Sequence, residues 1–243
     1  MDDLNLGFTK AQNQKIVDAI LKGLKTYVAE RREKKATMLV SAGYAWTKSN
    51  HIETALGLEL QSLGIAYDVK RIASWDYLQF SIADEKILFL VKSPSFIPEF
   101  KERVKTGKEH YIREYAKSND DLIQSDDFQD QVVQKQLALP LDDIPDLLDG
   151  QIEDVDKSYI VVYEIDASGM VESIKNYLPN SDGQLYEVDD LTMYIEGSSF
   201  AFTPEETIDS VDIFSSDQAN ATDTTFEFEV AGKLKSNASG SSA

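Results

Sequence analysis

Apolar residues recur every three to four positions in the N-terminal part of the chain, which is the period of an α-helix. The apolar stripe of this helix consists of Ile16, Val17, Ile20, Leu24, Tyr27 and Val28. Thr9 precedes the stripe, and its hydroxyl is a good N-cap because it can accept a hydrogen bond from a free backbone N–H. A second helix is predicted over residues 51–63, capped by Asn50 and ended by Gly64.

Three strands are predicted after the second helix, over residues 66–72, 77–82 and 86–92. The middle one alternates apolar and polar positions, whereas the third is apolar almost throughout and is expected to be buried on both faces. Two prolines end the strand region, and a basic helix is predicted over 99–117. Residues 1–118 therefore form a mildly basic helix–sheet core with the order helix, helix, three strands, helix.

The remainder of the chain has a different pattern. Residues 119–156 are acidic and predict a connector with short helices. Residues 157–235 predict a strand-rich part, in which a turn at Asp166 to Gly169 joins two strands of a hairpin. The small residues of 236–243 predict a disordered tail. The fold class is therefore α+β, with an N-terminal helix–sheet core and an acidic, strand-rich C-terminal part.

Charge is divided unevenly along the sequence. Residues 1–118 contain 19 Lys and Arg against 15 Asp and Glu, whereas residues 119–243 contain 5 against 28. The formal net charge is −19. Because such a chain repels phosphate groups, we do not expect direct nucleic-acid binding. An acidic surface instead favours a basic partner.

Composition favours a cytoplasmic protein, although secreted proteins of Gram-positive bacteria can also lack cysteine. The chain has no cysteine, which excludes disulfides and thiolate metal sites. Its first residues are acidic and have no apolar run, so we do not expect a secretory signal. The longest strongly apolar run, residues 87–91, is too short to span a bilayer.

One group of residues suggests an enzyme. A helix followed by three strands, with acids and a terminal lysine, resembles the PD-(D/E)xK nuclease core, in which carboxylates hold a divalent metal such as Mg²⁺. The candidate catalytic residues are Glu53, Asp76 and Lys92. The resemblance fails at position 90, where Leu90 replaces the acid that should precede the lysine. Each candidate also has a structural explanation: the spacing of Glu53 from Asn50 is that of a capping box.

Protein binding suits the acidity better than nucleic-acid binding. The acidic connector interleaves apolar and acidic side chains and, if helical, would present an apolar stripe flanked by negative charge. The alternative is that this stripe packs against its own domain. The predicted partner-binding residues are Asp142, Asp143, Ile144, Asp146, Leu147, Leu148 and Ile152. We therefore expect a non-enzymatic binding protein without a metal or cofactor.

The partner is expected to be a basic protein or complex. A sharper form of this hypothesis is that the carboxylates imitate the phosphates of DNA and occupy a nucleic-acid-binding or host-defence protein. The alternative function is a divergent or degenerate PD-(D/E)xK-like metal-dependent nuclease.

Two sets of strand residues carry a resemblance to a known family. One runs from Trp75 to Phe80, and the other from Tyr159 to Tyr163, followed by Ile174 to Asn180 and by Asp190-Leu191. Both resemble an uncharacterised family found in Firmicute bacteria and their phages. The resemblance implies a bacterial or phage origin and assigns no functional residue.

Overall fold

The computed structural model describes residues 6–72, 75–106, 111–125, 128, 155–207, 210–211 and 213–214. The helices are α1 (Lys10–Thr37), α2 (Lys48–Glu59), α3 (Phe96–Lys105), α4 (Tyr111–Ala116) and α5 (Asp120–Ile123). The strands are β1 (Ala66–Ile72), β2 (Trp75–Ile82), β3 (Ile87–Lys92), β4 (Lys157–Ile165), β5 (Val171–Pro179) and β6 (Leu185–Asp190). The predicted α+β class is confirmed.

The described strands form a single six-stranded sheet in the order β1-β2-β3-β4-β5-β6. Two antiparallel meanders, β1 to β3 and β4 to β6, meet where β3 pairs parallel to β4. A parallel pair requires the chain to cross from one end of the sheet to the other. The helices α3, α4 and α5 lie within that crossover.

Helices cover both faces of the sheet. On one face, α1 and α2 pack on a core that includes Phe80 and Phe89. On the other face, α3 and α4 pack on Leu88 and Leu90 through Phe100 and other side chains. Successive residues of β3 therefore enter opposite cores, and residues 87–91 are all buried, as the apolar run predicted.

The N-terminal cap of α1 is confirmed. Thr9 Oγ1 accepts a hydrogen bond from the Gln12 backbone N–H, and the Gln12 side chain accepts one from the Thr9 N–H. The predicted hairpin is also confirmed, since β4 and β5 flank a turn in which Asp166 Oδ1 accepts from the N–H groups of Ser168 and Met170. Gly169 supplies the left-handed backbone of this turn, with φ of 81°.

Two helix predictions need correction. α2 begins at Lys48, so Asn50 lies in its first turn and does not cap it, although Gly64 ends the following 3₁₀ turn in a left-handed conformation as predicted. The helix predicted over 99–117 is divided: α3 ends at Lys105 and α4 begins at 111. α3 also begins earlier than predicted, because Pro98 lies in its first turn, where no backbone N–H is required.

Several predicted elements lie outside the described residues. These are most of the acidic connector predicted over 119–156 and the whole of the tail predicted over 236–243. Within the described ranges, no helix is long and apolar enough to cross a bilayer.

Candidate functional site: a buried ion pair between two strands

The site lies where β2 and β3 separate. Their ladder ends at the pair Phe80 and Phe89, whereas the β1–β2 ladder continues for five more residues, to the pair Ile72 and Trp75. β3 continues beside β4 as far as Lys92. The N-terminal half of β2 therefore has β1 on one side and none of the described strands on the other, which leaves its backbone groups to find other partners.

Glu53 of α2 fills this opening. Its carboxylate accepts a hydrogen bond of 3.1 Å from the Leu78 backbone N–H and lies 3.4 Å from Lys92 Nζ. The capping-box interpretation of Glu53 is thus wrong, because Asn50 is already inside the helix and the Glu53 side chain turns towards the sheet. The carboxylate takes the place that a neighbouring strand would occupy beside Leu78.

Lys92 approaches the same point from the end of β3. Its Nζ lies 4.7 Å from the centre of the Tyr77 ring, a cation–π contact. The Glu53 and Lys92 side chains are 14% and 17% exposed, so both charges are largely removed from water. The sequence brought these two residues together as nuclease candidates, and the structure places them in contact.

Burial moves both members of the pair towards their neutral forms. Desolvation raises the pKa of Glu53, and the Lys92 charge and the Leu78 N–H offset only part of that rise. Desolvation lowers the pKa of Lys92, and the Glu53 charge partly offsets it. Each charge therefore depends on the other, since neither is well solvated.

A group of tyrosines surrounds the pair, and the sequence pattern gave no sign of it. The Tyr115 hydroxyl donates to Gln79 Oε1 at 2.6 Å, so the Tyr77 hydroxyl, 3.1 Å away, donates to Tyr115. Burial raises the pKa of Tyr77 and of Tyr115. Burial and the negative charge of Glu53 raise the pKa of Tyr163 as well. These phenols are therefore neutral hydrogen-bonding groups at ordinary pH.

Asp76, the third nuclease candidate, has another partner. It lies within β2 and, with Glu53, lines an open pocket that also includes Val69 and Tyr77. Its two carboxylate oxygens accept hydrogen bonds of 2.6 and 3.0 Å from the Arg71 guanidinium across the β1–β2 hairpin. Arg71 holds the pKa of Asp76 below its usual range.

The residues do not fit a divalent metal. Mg²⁺ needs several hard oxygen ligands that converge on one point. Leu90, at the position of the expected acid, is 2% exposed and packs in the core beneath α3 and α4. Of the two remaining carboxylates, Glu53 pairs with Lys92 and Asp76 with Arg71. Within the described part of the chain, no group of three or more Asp, Glu, His or Cys could hold a metal ion.

The predicted partner-binding residues from Asp142 to Ile152 lie outside the described residues. The acidity of the second half can nevertheless be followed in residues 155–207, which contain eleven Asp and Glu against two Lys and no Arg. Seven of the eleven are exposed: Asp156, Glu164, Glu172, Asp182, Asp190, Glu196 and Glu205. We call these seven the acidic surface.

Some acids of this region are neutralised within the chain. Glu187 lies 2.9 Å from Lys175, and Glu206 lies 2.8 Å from Lys25 of α1. Both are only half exposed and neither belongs to the acidic surface. These two ion pairs therefore neutralise acids that lie outside the acidic surface.

The fold and the site together define an α+β protein with a helix–sheet–helix core and a buried carboxylate–ammonium pair at an opening in its sheet. The chain belongs to DUF5986, a family of unknown function, whose model matches residues 5–240. Neither the curated proteins nor the solved structures contain a match.

Proposed function

We propose that this chain is a non-enzymatic binding protein, bacterial or phage and cytoplasmic, whose acidic surface engages a basic protein or complex. The observation that carries the proposal is the charge of residues 155–207, eleven acids against two lysines, with seven of the acids exposed. A concentration of one sign of charge attracts partners of the opposite sign and accelerates their association.

The underlying sheet supports this assignment. Glu164 on β4 pairs with Ser173 on β5, and Glu172 is the residue before Ser173, at a bulge in the same ladder. Carboxylates on paired strands keep their spacing better than those on loops, so a partner meets a defined pattern of charge. A nucleic-acid-binding protein or a host-defence protein with a basic surface would be a partner of the required kind.

The test neutralises five of the seven acids of the acidic surface and keeps the shapes of their side chains. One variant carries Glu164→Gln, Glu172→Gln, Asp182→Asn, Glu196→Gln and Glu205→Gln. Tagged wild-type chain and variant are used to capture proteins from a lysate of source cells at low and at high salt. We expect the wild-type chain to retain a basic protein at low salt and to lose it as the Debye length falls below about 5 Å. The variant should not retain it at either salt concentration.

A matched control neutralises exposed acids of the first half instead, through Glu33→Gln, Asp84→Asn and Glu102→Gln. This control should capture the same protein as the wild-type chain. Equal capture by the wild-type chain and the five-residue variant would contradict the proposal, as would a complex that does not weaken with salt.

A second candidate is the degenerate form of a PD-(D/E)xK-like nuclease. The observation in its favour is that Glu53 and Lys92 meet at 3.4 Å where β2 and β3 separate, in the order of helix and strands that the nuclease comparison requires. The missing third acid and the pairing of Asp76 with Arg71 favour a core that has lost metal chemistry. Titration with Mg²⁺ and Mn²⁺, followed by thermal shift and by cleavage of DNA and RNA, separates the two forms. A metal-dependent shift abolished by Glu53→Gln, together with cleavage, would establish an active nuclease.

A further inference from the structure

The strand β1 is an unusual edge for a sheet. It is the terminal strand of the sheet, and none of the described strands pairs with its outer side. Every residue from 66 to 71 is exposed, including Val69 at 64% and Tyr67 at 39%. A long exposed edge with apolar side chains is a template for pairing with another strand.

The hydrogen bonds of the sheet show which backbone groups of β1 face outward. Val69 lies opposite Leu78 in the β1–β2 ladder, and the Leu78 N–H donates to Glu53 on the far side of β2. Residues of an antiparallel pair alternate between bonded and non-bonded positions, so Val69 and Leu78 form a non-bonded pair. The N–H and C=O of Val69 therefore point to the open edge, as do those of Tyr67 and Arg71.

The sequence of β1 is complementary to itself in the antiparallel direction. When two copies of Ala66–Ile72 are paired with Val69 opposite Val69, Asp68 of each copy lies opposite Lys70 of the other. Tyr67 then lies opposite Arg71, a pairing that allows a cation–π contact. Opposite charges at directly facing positions stabilise a strand pair, and like charges destabilise it.

Other arrangements of the same two strands lack this match. A shift that centres the pair on Asp68 places two aspartates opposite each other, and one that centres it on Lys70 places two lysines opposite each other. A parallel, in-register pair does both at once. Charges on an edge strand ordinarily prevent pairing. Here they permit the antiparallel register centred on Val69 and oppose the registers centred on Asp68 and on Lys70.

We propose that two copies of this chain form a symmetric dimer through β1, in which the two sheets join as one sheet of twelve strands about a two-fold axis at Val69. The contact is isologous, as expected for a closed dimer, because the same residues serve both subunits. It leaves the acidic surface of residues 155–207 at the opposite part of the sheet, so the inference does not depend on the proposed function.

The test exploits the two facing charges. In Asp68→Lys the edge carries two lysines, and in Lys70→Asp it carries two aspartates, so each variant alone opposes its own copy. Each should be monomeric by sedimentation velocity at a concentration where the wild-type chain is dimeric, with a dissociation constant raised on the order of tenfold or more. Mixed in equal amounts, the two variants should form a heterodimer, because each lysine then faces an aspartate.

The controls carry the same charge changes away from the edge. Glu172→Lys on β5 and Lys10→Asp on α1 should each remain dimeric, and circular dichroism should show that all four variants are folded. A wild-type chain that stays monomeric up to millimolar concentration would overturn the proposal. So would single variants that dimerise as well as the wild-type chain, or a mixture of them that remains monomeric.

Discussion

At the scale of single residues, the buried polar groups explain how this fold closes. Glu53 and Lys92 are charged residues that the fold takes out of water, and each is held by the other and by Leu78 or Tyr77. Breaking a buried pair costs more than removing both members, because a single remaining charge has no partner. The pair therefore makes a clear prediction about stability and pH.

Lys92→Met should lower the free energy of unfolding by about 3 kcal/mol at pH 7. The loss should shrink as the pH falls, since burial raises the pKa of Glu53 in the folded chain above the ordinary carboxyl value of about 4.3. A group whose pKa is higher in the folded chain than in the unfolded chain contributes its full stabilisation when the pH is below the unfolded pKa. That stabilisation is lost as the pH rises through the folded pKa. Urea denaturation of the variant and the wild-type chain between pH 7 and pH 4 measures the difference.

Two further variants complete this test. The double variant with Glu53→Gln and Lys92→Met should recover to within about 1 kcal/mol of the wild-type chain, since no charge is left unpaired. Lys117→Met, which breaks an exposed pair with Glu114, should cost below about 1 kcal/mol. A constant loss for Lys92→Met at every pH would show that packing rather than charge is responsible.

Asn119 is a second buried polar residue with a structural role. Its Nδ2 donates to the carbonyl oxygens of Ser158 and Pro179 at 2.8 Å each, and its Oδ1 accepts from the Ser158 N–H. It thereby ties the crossover to β4 and to the end of β5. Neither its polarity nor its position in the sequence predicted this role, because all its partners are at least 39 residues away.

Asn119→Ala should destabilise the fold by about 2 to 3 kcal/mol, because it leaves buried backbone groups of β4 and β5 without partners. Chemical denaturation provides the measurement. Asn50→Ala, at an exposed position of α2, is a suitable control and should change the unfolding free energy by less than about 0.5 kcal/mol. Equal effects from the two variants would exclude the structural role given to Asn119.

At the scale of elements, the backbones of α1 and α2 approach closely where the two helices cross. A Cβ added at Gly23 would lie 2.5 Å from the Ile52 Cα and 2.8 Å from the His51 carbonyl oxygen. Both are backbone atoms, which cannot move aside as the end of a side chain can. The absence of a side chain at Gly23 therefore sets the distance between the two helices, although glycine within a helix lowers its intrinsic stability.

Gly23→Ala should destabilise the protein by about 2 kcal/mol or more, despite the higher helix propensity of alanine, because the two backbones must move apart. The measurement is the shift in the thermal unfolding midpoint. Gly43→Ala is the matched control, since nothing lies within 4 Å of an added Cβ there. A neutral or stabilising Gly23→Ala would mean that α1 and α2 can separate at little cost.

At the scale of the whole molecule, the parallel pairing of β3 with β4 joins the mildly basic and the acidic halves in one sheet. Six positions are paired, from Ile87 with Lys157 to Lys92 with Val162. Both strands also contribute to the cores on the two faces. Neither half can expose its central strand without breaking those contacts, so the described sheet should unfold as one unit.

Hydrogen exchange followed by mass spectrometry tests this cooperation. Peptides that cover Ile87–Lys92 and Lys157–Ile165 should show the same free energy of exchange, equal to that of global unfolding, within about 1 kcal/mol. Peptides from α3 serve as a comparison, because their free energy of exchange need not equal that of β3 and β4. Early exchange of β4 while β3 stays protected would show that the halves unfold separately.

The sequence by itself determined the local elements, because their causes are local. The cap at Thr9, the left-handed Gly64 and the turn from Asp166 to Gly169 each depend on residues a few positions apart, and the structure has all three. The bounds of β1 also follow from its pattern. The sequence alone also shows that position 90 supplies no metal ligand, because Leu90 stands there in an apolar run.

Only the tertiary structure decided how those elements meet. The pairing of β3 with β4 and the position of Asn119 both depend on residues far apart in the chain. The role of Glu53 is the clearest case: its spacing from Asn50 fits a cap, but the gap beside Leu78 gives its carboxylate a backbone N–H and the Lys92 ammonium. A local pattern cannot show a partner that folding brings from 39 residues away.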